Sequence, residues 1–221
     1  MGGDSEDDLR RGRIVREEIG WENKLMVDAN QRWGVDEAIE KTKALAELDP
    51  GWMEEPTSPD DILGHANIRR EVAPIRIATG ESVHNAEMFK RLLQAGDIDV
   101  CQIDACRVAS ANENLAILLM CAKLGSPVCP HAGGVGLCEC VQYLSIFDFL
   151  CISATPEDRV IEFVDHLHEH FINPVETREG RYLVPQSAGY SIEIKQDVLK
   201  RFSFPGGEVW NQEEYEADLN N

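Results

Sequence analysis

The sequence predicts an α/β fold of the (β/α) barrel type, parallel strands alternating with helices around one mouth. Three observations carry that expectation. Side chains with metal or acid–base chemistry recur at nearly one interval, at Asp28, Glu54, Glu81, Asp104 and His131, with gaps of 26, 27, 23 and 27 residues. Each closes or follows a short apolar run, such as Leu25-Met-Val27 before Asp28 or Pro127-Val-Cys-Pro130 before His131. After each comes a stretch with helical spacing. Residues so far apart meet only if their strands are parallel and closed around one mouth, and a (β/α) barrel places its chemistry at the carboxyl ends of its strands.

Taken in order, the chain opens on a helix. Ser5-Glu-Asp-Asp8 has the form of a capping box, Leu9, Ile14, Val15 and Ile19 follow as an apolar face, and Gly20 stops it. The next stripe, Val35 to Leu48, ends before Pro50-Gly51. Ser58-Pro59-Asp60-Asp61 supplies a cap, a proline and acids for a helix reaching Val72. Asn85 caps a helix ended by Gly96, Asn112 begins one ended by Gly125, and Gly136 opens another to about Phe147. Strands are expected near residues 26, 53, 77, 102, 128 and 151, the last over 149–153. Residues 156–170 read as partly helical, and His166, His168 and His170 suit a surface helix better than a metal cluster. The expected division is a partial barrel over 1–170 and an irregular segment over 171–221, with a polar, frayed end.

Composition narrows the partners. A net charge of −19 argues against nucleic acid and against an anionic membrane surface. No run approaches the roughly 18 apolar residues of a membrane span, and the acidic Met1-Gly-Gly-Asp-Ser-Glu-Asp-Asp8 is no targeting segment. Seven cysteines without a CxxC pair fit small buried hydrophobes in a reducing, intracellular compartment, cytoplasmic or mitochondrial. At 221 residues the chain falls short of the about 250 typical of a complete eight-stranded barrel.

Three carboxylates at successive strand ends, Asp28, Glu54 and Glu81, make a hard, oxygen-only site suited to Mg2+. Capping or salt bridging explains any one of them, but matching registers favour a shared role. Asp104 and His131 follow as an acid–base dyad, the carboxylate fixing the imidazole tautomer. The glycines of His131-Ala-Gly-Gly-Val-Gly136 give an open backbone, which would also suit a phosphate.

Val27-Asp-Ala-Asn-Gln-Arg-Trp33, Trp52-Met-Glu-Glu-Pro-Thr57, Gly80-Glu81, Gln102-Ile-Asp104 and Cys129-Pro-His-Ala-Gly-Gly134 resemble the enolase superfamily, mandelate racemase group. Glu54-Glu-Pro-Thr-Ser-Pro-Asp-Asp-Ile-Leu-Gly-His65 and Phe163-Val-Asp-His-Leu-His-Glu-His170 look like the L-fuconate dehydratase family. The resemblance covers nearly the whole chain. It implies Mg2+ on Asp28, Glu54 and Glu81, catalysis by His131 with Asp104, and a further glutamate at Glu162. It also implies a sugar acid as substrate, L-fuconate first. The reaction it implies is loss of the alpha proton through an enediolate stabilised by Mg2+, then loss of the 3-hydroxyl as water.

The family also carries a Lys-x-Lys motif at the end of its second strand, whose second lysine is the base on the opposite face. No such strand-end motif is present here. The expected fold is therefore the enolase-superfamily barrel truncated at its N-terminus, about six of eight strands, without the capping domain. An inactive remnant, or a racemase or epimerase of the same superfamily, are the competing readings. An exposed sheet edge could be covered by a second copy or by a longer homologous chain.

Overall fold

The computed structural model describes residues 1–211. Four parallel strands, β1 (Leu25–Asp28), β2 (Pro50–Glu54), β3 (Arg76–Thr79) and β4 (Val100–Cys101), lie in sequence order in one sheet. Between them run α2 (Val35–Ala44, extended by a 3-10 turn over Leu45–Leu48), α3 (Ile62–Val72) and α4 (Ala86–Ala95), with α1 (Ser5–Ile19) ahead of β1. Helices α5 (Ala111–Leu124) and α6 (Leu137–Phe147) follow β4.

Parallel pairing continues past β4 through single backbone bonds. Cys129 N donates to Cys101 O at 2.9 Å and His131 N to Ile103 O at 3.0 Å, and Glu162 N donates to Pro130 O at 3.3 Å. A parallel bridge between Cys101 and Val128 makes 128–131 a fifth stave, and residues 160–162, which form no strand ladder, lie against it as a sixth through the one Glu162–Pro130 bond.

The sixth stave corrects one expectation. Residues 149–153 form no strand; Asp148–Ser153 is a π-helical turn continuing α6. Nothing between Phe147 and Ile152 breaks a helix, and Asp148 is held inside the turn by Ser153 Oγ at 3.0 Å and Arg159 Nε at 2.8 Å. Of residues 156–170, expected to be partly helical, only His168–His170 is, as a 3-10 turn. Asp158 and Leu167 both sit at positive φ, 53° and 57°, which interrupts helical backbone.

Helix starts shift by small amounts for local reasons. Asp4, not Ser5, caps α1, accepting from Asp7 N at 2.9 Å. Asp61 caps α3 through Gly64 N at 2.8 Å, so the Ser58-Pro59 turn precedes the helix. Ser110 caps α5, two residues before the expected start. Asn85 and Gly96 bound α4 as expected.

Helix α1 buries a different face from the expected one. Asp8, Gly12 and Arg16 are covered, while Ile14 and Val15 are 54% and 43% exposed. The reason is polar. Arg16 donates to four carbonyl oxygens, of Leu48 (2.9 Å), Gly20 (3.0 Å), Asn23 (2.7 Å) and Asp49 (2.9 Å). One guanidinium thereby satisfies the helix end and the loop before β2, groups that would otherwise be costly to bury.

Strand alternation separates two apolar layers. Outward-facing Val27, Met53 and Ile77 pack under α2 and α3 against Ala38, Leu45, Ile68 and Val72. Each such fully buried side chain contributes about 1.5–3 kcal/mol. The inward layer is Trp52, Ala78, Val100 and Cys129, flanked by Met26 and Val160. All six staves contribute one residue to it.

Beyond residue 171 the chain forms a small hairpin, β5 (Thr177–Arg178) with β6 (Arg181–Tyr182), and α7 (Gln196–Phe202). The polar end expected to fray lies, from residue 212 onward, outside the described residues.

Candidate active site

Side chains alternate along a strand, so the residue two past each inward apolar position also points inward, one layer nearer the carboxyl end. That rule places Asp28 after Met26, Glu54 after Trp52, Gln102 after Val100, His131 after Cys129 and Glu162 after Val160. On β3 the position after Ala78 is Gly80, and the acid comes one residue later at Glu81. Gly80 has φ 139°, and a Cβ there would lie 2.5 Å from the Gln102 carbonyl, so only glycine lets the loop turn Glu81 inward.

Asp28 and Glu54 stand at one register, directly paired across β1 and β2. Asp28 accepts from Asn30 N at 2.7 Å and from the Asn30 amide side chain. Glu54 is buried and accepts from Trp52 Nε1 at 3.2 Å. Burial, together with the charges of Glu162 and Asp28, outweighs the hydrogen bonds from Gln102 and Trp52 and pushes Glu54 up to about 7. Burial also raises Glu162, with Glu81 and Asp28 adding to it, against the Ala132 N–H that Glu162 accepts at 2.9 Å.

His131 sits among three carboxylates. Its Nδ1 is 2.7 Å from Asp104 Oδ2, and its Nε2 is 3.1 Å from Glu81 Oε2 and 3.8 Å from Glu162 Oε2. Burial opposes the charged ring, but the Asp104 bond and the charges of Glu162 and Glu81 prevail, and the imidazole pKa is raised. Asp104, 2% exposed, also accepts from Cys106 N at 2.6 Å. Its carboxyl is lowered despite burial, through His131 and that backbone bond.

The six sequence candidates, Asp28, Glu54, Glu81, Asp104, His131 and Glu162, therefore converge on one mouth. Among the described residues no three of them form a ready metal-holding cluster, and Glu81 lies against His131. The donor set nevertheless fits a hard dication. It is all oxygen, and Glu54 is driven toward neutrality by burial and then by neighbouring carboxylates, a cost that a cation would relieve.

Gln102 is a site residue to which the sequence reading gave no role. It is fully buried and donates to Glu162 at 3.4 Å. The alternation from Val100 was its signal. Of the glycines after His131, Gly133 makes room for the imidazole, since a Cβ there would lie 2.5 Å from His131 Nε2. The only Lys-x-Lys spelling, Lys41-Thr-Lys43, lies on α2, where Lys41 pairs with Glu37 at 2.9 Å. His168 does not join a histidine cluster; its Nδ1 bonds Glu139 Oε1 at 2.6 Å and its Nε2 bonds Val164 O at 2.8 Å.

Comparison with known proteins agrees with this architecture. Residues 1–198 match the family described as enolase C-terminal domain-like. Mitochondrial enolase superfamily member 1 of Bos taurus is 58% identical over 214 residues, covering 96% of this chain and 48% of the relative. L-galactonate dehydratase of Hypocrea jecorina is 51% identical over 210 residues, covering 93% and 46%. The crystal structure of human mitochondrial enolase superfamily member 1 superposes with a TM-score of 0.92 at 56% identity, covering 95% of this chain and 48% of that one. L-talarate dehydratase from Polaromonas sp. JS666, complexed with Mg and L-glucarate, gives 0.78 at 29% identity, covering 90% and 52%. The chain spans about half the length of the curated relatives it matches. With its parallel staves, its layered interior and this matched span, the chain belongs to the enolase superfamily, as a member of the enolase C-terminal domain-like family.

Proposed function

We propose that this chain carries the metal- and acid-bearing part of an Mg2+-dependent acid-sugar dehydratase, with L-fuconate as the first substrate. One observation carries the reading: His131, tied to Asp104 through one nitrogen, presents the other to carboxylates at the ends of neighbouring staves. Relatives named as acid-sugar dehydratases support the substrate class. L-fuconate is L-galactonate without its 6-hydroxyl, so the L-galactonate dehydratase relative supports the same stereochemistry.

Asp28, Glu54 and Glu81 would hold the ion. Mg2+, when bound, supplies positive charge against the dianion that develops as the sugar acid loses its alpha proton. Carbon 2 loses that proton and carbon 3 loses its hydroxyl; the product is a 2-keto-3-deoxy acid plus one water. The departing hydroxyl needs a proton. His131, whose pKa is raised, is suited to give one from Nε2 while Asp104 steadies the imidazolium. Glu162, accepting from Ala132 N and Gln102, sits beside that nitrogen and completes the anionic wall. The acid–base group that the described contacts place at this mouth is His131, and the reading gives the chain the acid side of the step. A racemase needs bases on both faces, and a single imidazole fits dehydration better.

The test is calorimetric titration of the purified chain with Mg2+, with L-fuconate and L-galactonate turnover assayed in the same sample. Saturable binding is expected. Turnover would show that a group of this chain also takes the alpha proton; binding alone leaves it the acid side only. A folded sample without Mg2+ binding would refute the reading.

A further inference from the structure

Arg107 lies in the loop after β4, half-exposed at the mouth, and it has no part in the chemistry above. Its guanidinium faces the two carboxylates that hold His131. Nε lies 3.8 Å from Asp104 Oδ2, and Nη2 lies 3.7 Å from Glu81 Oε1. Those carboxylates flank opposite nitrogens of the imidazole, at 2.7 and 3.1 Å. Imidazole, Asp104, guanidinium and Glu81 thus close a four-membered ring of alternating partners.

The ring is anchored. Arg107 Nη1 donates to Ser82 Oγ at 2.8 Å, and the Arg107 backbone N donates to Asp104 Oδ1 at 3.2 Å. Gln31 Nε2 donates to the same Ser82 Oγ at 2.7 Å and to Glu55 Oε1 at 2.8 Å. Gln31, Glu55, Ser82 and Arg107 each stand one to three residues past Asp28, Glu54, Glu81 and Asp104. They form a second row of polar side chains crossing four consecutive loops, just outside the first. An isolated exposed ion pair is worth about 0–1 kcal/mol, so fold stability gives little reason for this arrangement. A planar fork holding two carboxylates at a set spacing gives a better one.

We propose that Arg107, seated on Ser82, is a positioning residue that holds Glu81 and Asp104 in register on the two sides of the His131 ring. Its kinetic consequence rests on the dehydratase reading; its structural consequence does not.

The experiment combines a spectroscopic and a kinetic readout on Arg107→Gln, Arg107→Lys and Ser82→Ala, each checked for native circular dichroism. In histidine-labelled protein, an Nδ1 proton bonded to a carboxylate gives a downfield signal, assigned to His131 by its loss in His131→Asn. His168, bonded to Glu139, supplies a control signal in the same spectrum. Arg107→Gln is expected to shift or broaden the His131 signal and leave the His168 signal in place. It is also expected to lower kcat about 10–100-fold with a smaller change in KM. Arg107→Lys restores part of both, because it returns the charge without the fork. An unmoved His131 signal with unchanged kcat in Arg107→Gln overturns the proposal. A moved signal in a chain whose wild type shows neither turnover nor Mg2+ binding supports the positioning role and refutes the dehydratase reading instead. Should Arg107→Gln fail to fold, Ser82→Ala decides by the same signal, since it removes the anchor and leaves the guanidinium in place.

Discussion

Replacing Gly133 by alanine adds one methyl group and touches no charge, yet it should disable the acid. The new Cβ would stand 2.5 Å from His131 Nε2 and 2.8 Å from Cε1. An ordinary contact begins at 3.4 Å, so the nearer approach falls 0.9 Å short. The imidazole cannot simply swing aside, because Asp104 holds its far nitrogen at 2.7 Å. Either the ring retreats by most of an ångström or the loop after residue 131 shifts. A misplacement of about 1 Å at a reacting group can cost on the order of 100-fold in rate. The assay is kcat for L-fuconate with thermal unfolding of the same preparation. The expected result is a loss of that order, with at most a few degrees off Tm and little change in Mg2+ affinity, since Gly133 adjoins none of the proposed ligands. A Gly133→Ala variant with wild-type kcat and an unmoved His131 signal would refute the placement of the imidazole.

Other expectations follow from single contacts. Glu81→Gln should abolish Mg2+ binding while His131→Asn spares it; equal Mg2+ affinity in the Glu81 variant would remove that residue from the ligand set. Arg16→Met keeps the buried stem but strands four carbonyl oxygens, and denaturant unfolding should show a loss of about 3–5 kcal/mol. Asp97 is fully buried, its carboxylate oxygens have no partner among the described residues, and burial pushes it up to about 6. A raised folded pKa means that its favourable balance is present below its unfolded pKa and is lost as pH rises through about 6. Asp97→Asn should therefore stabilise by about 3 kcal/mol at pH 8 and by nothing near pH 3; equal gains at both would refute the burial argument.

The strand–helix rhythm was legible because each strand end carries a titratable side chain and each helix a recognisable stop, as at Gly96 and Gly125. The sixth stave was not. Phe147-Asp-Phe-Leu-Cys-Ile152 is apolar enough for a buried strand, and periodicity alone cannot separate that from a helix end. The true stave, 160–162, is short and contributes only Val160 and Glu162 to the interior, leaving no pattern to find. The buried role of Arg16 left no signal for another reason. A charged residue in an amphipathic helix reads as solvated, and only tertiary structure brings four carbonyl oxygens to it. In the site, residue types gave away the carboxylates and the dyad, whereas the orientation of Glu81 toward His131 needed the coordinates.

The two-residue step from interior layer to mouth has a consequence for how such a protein can fail. Met26, Trp52, Val100, Cys129 and Val160 face the same way as Asp28, Glu54, Gln102, His131 and Glu162. A slip of one residue in any of these five staves would turn its site residue outward and drag its apolar partner with it, losing burial and chemistry together. Folding thereby proofreads function. Any copy of the chain that has sealed its interior has, by that act, aimed its reactive groups, and misaligned copies are the unstable ones that quality control removes.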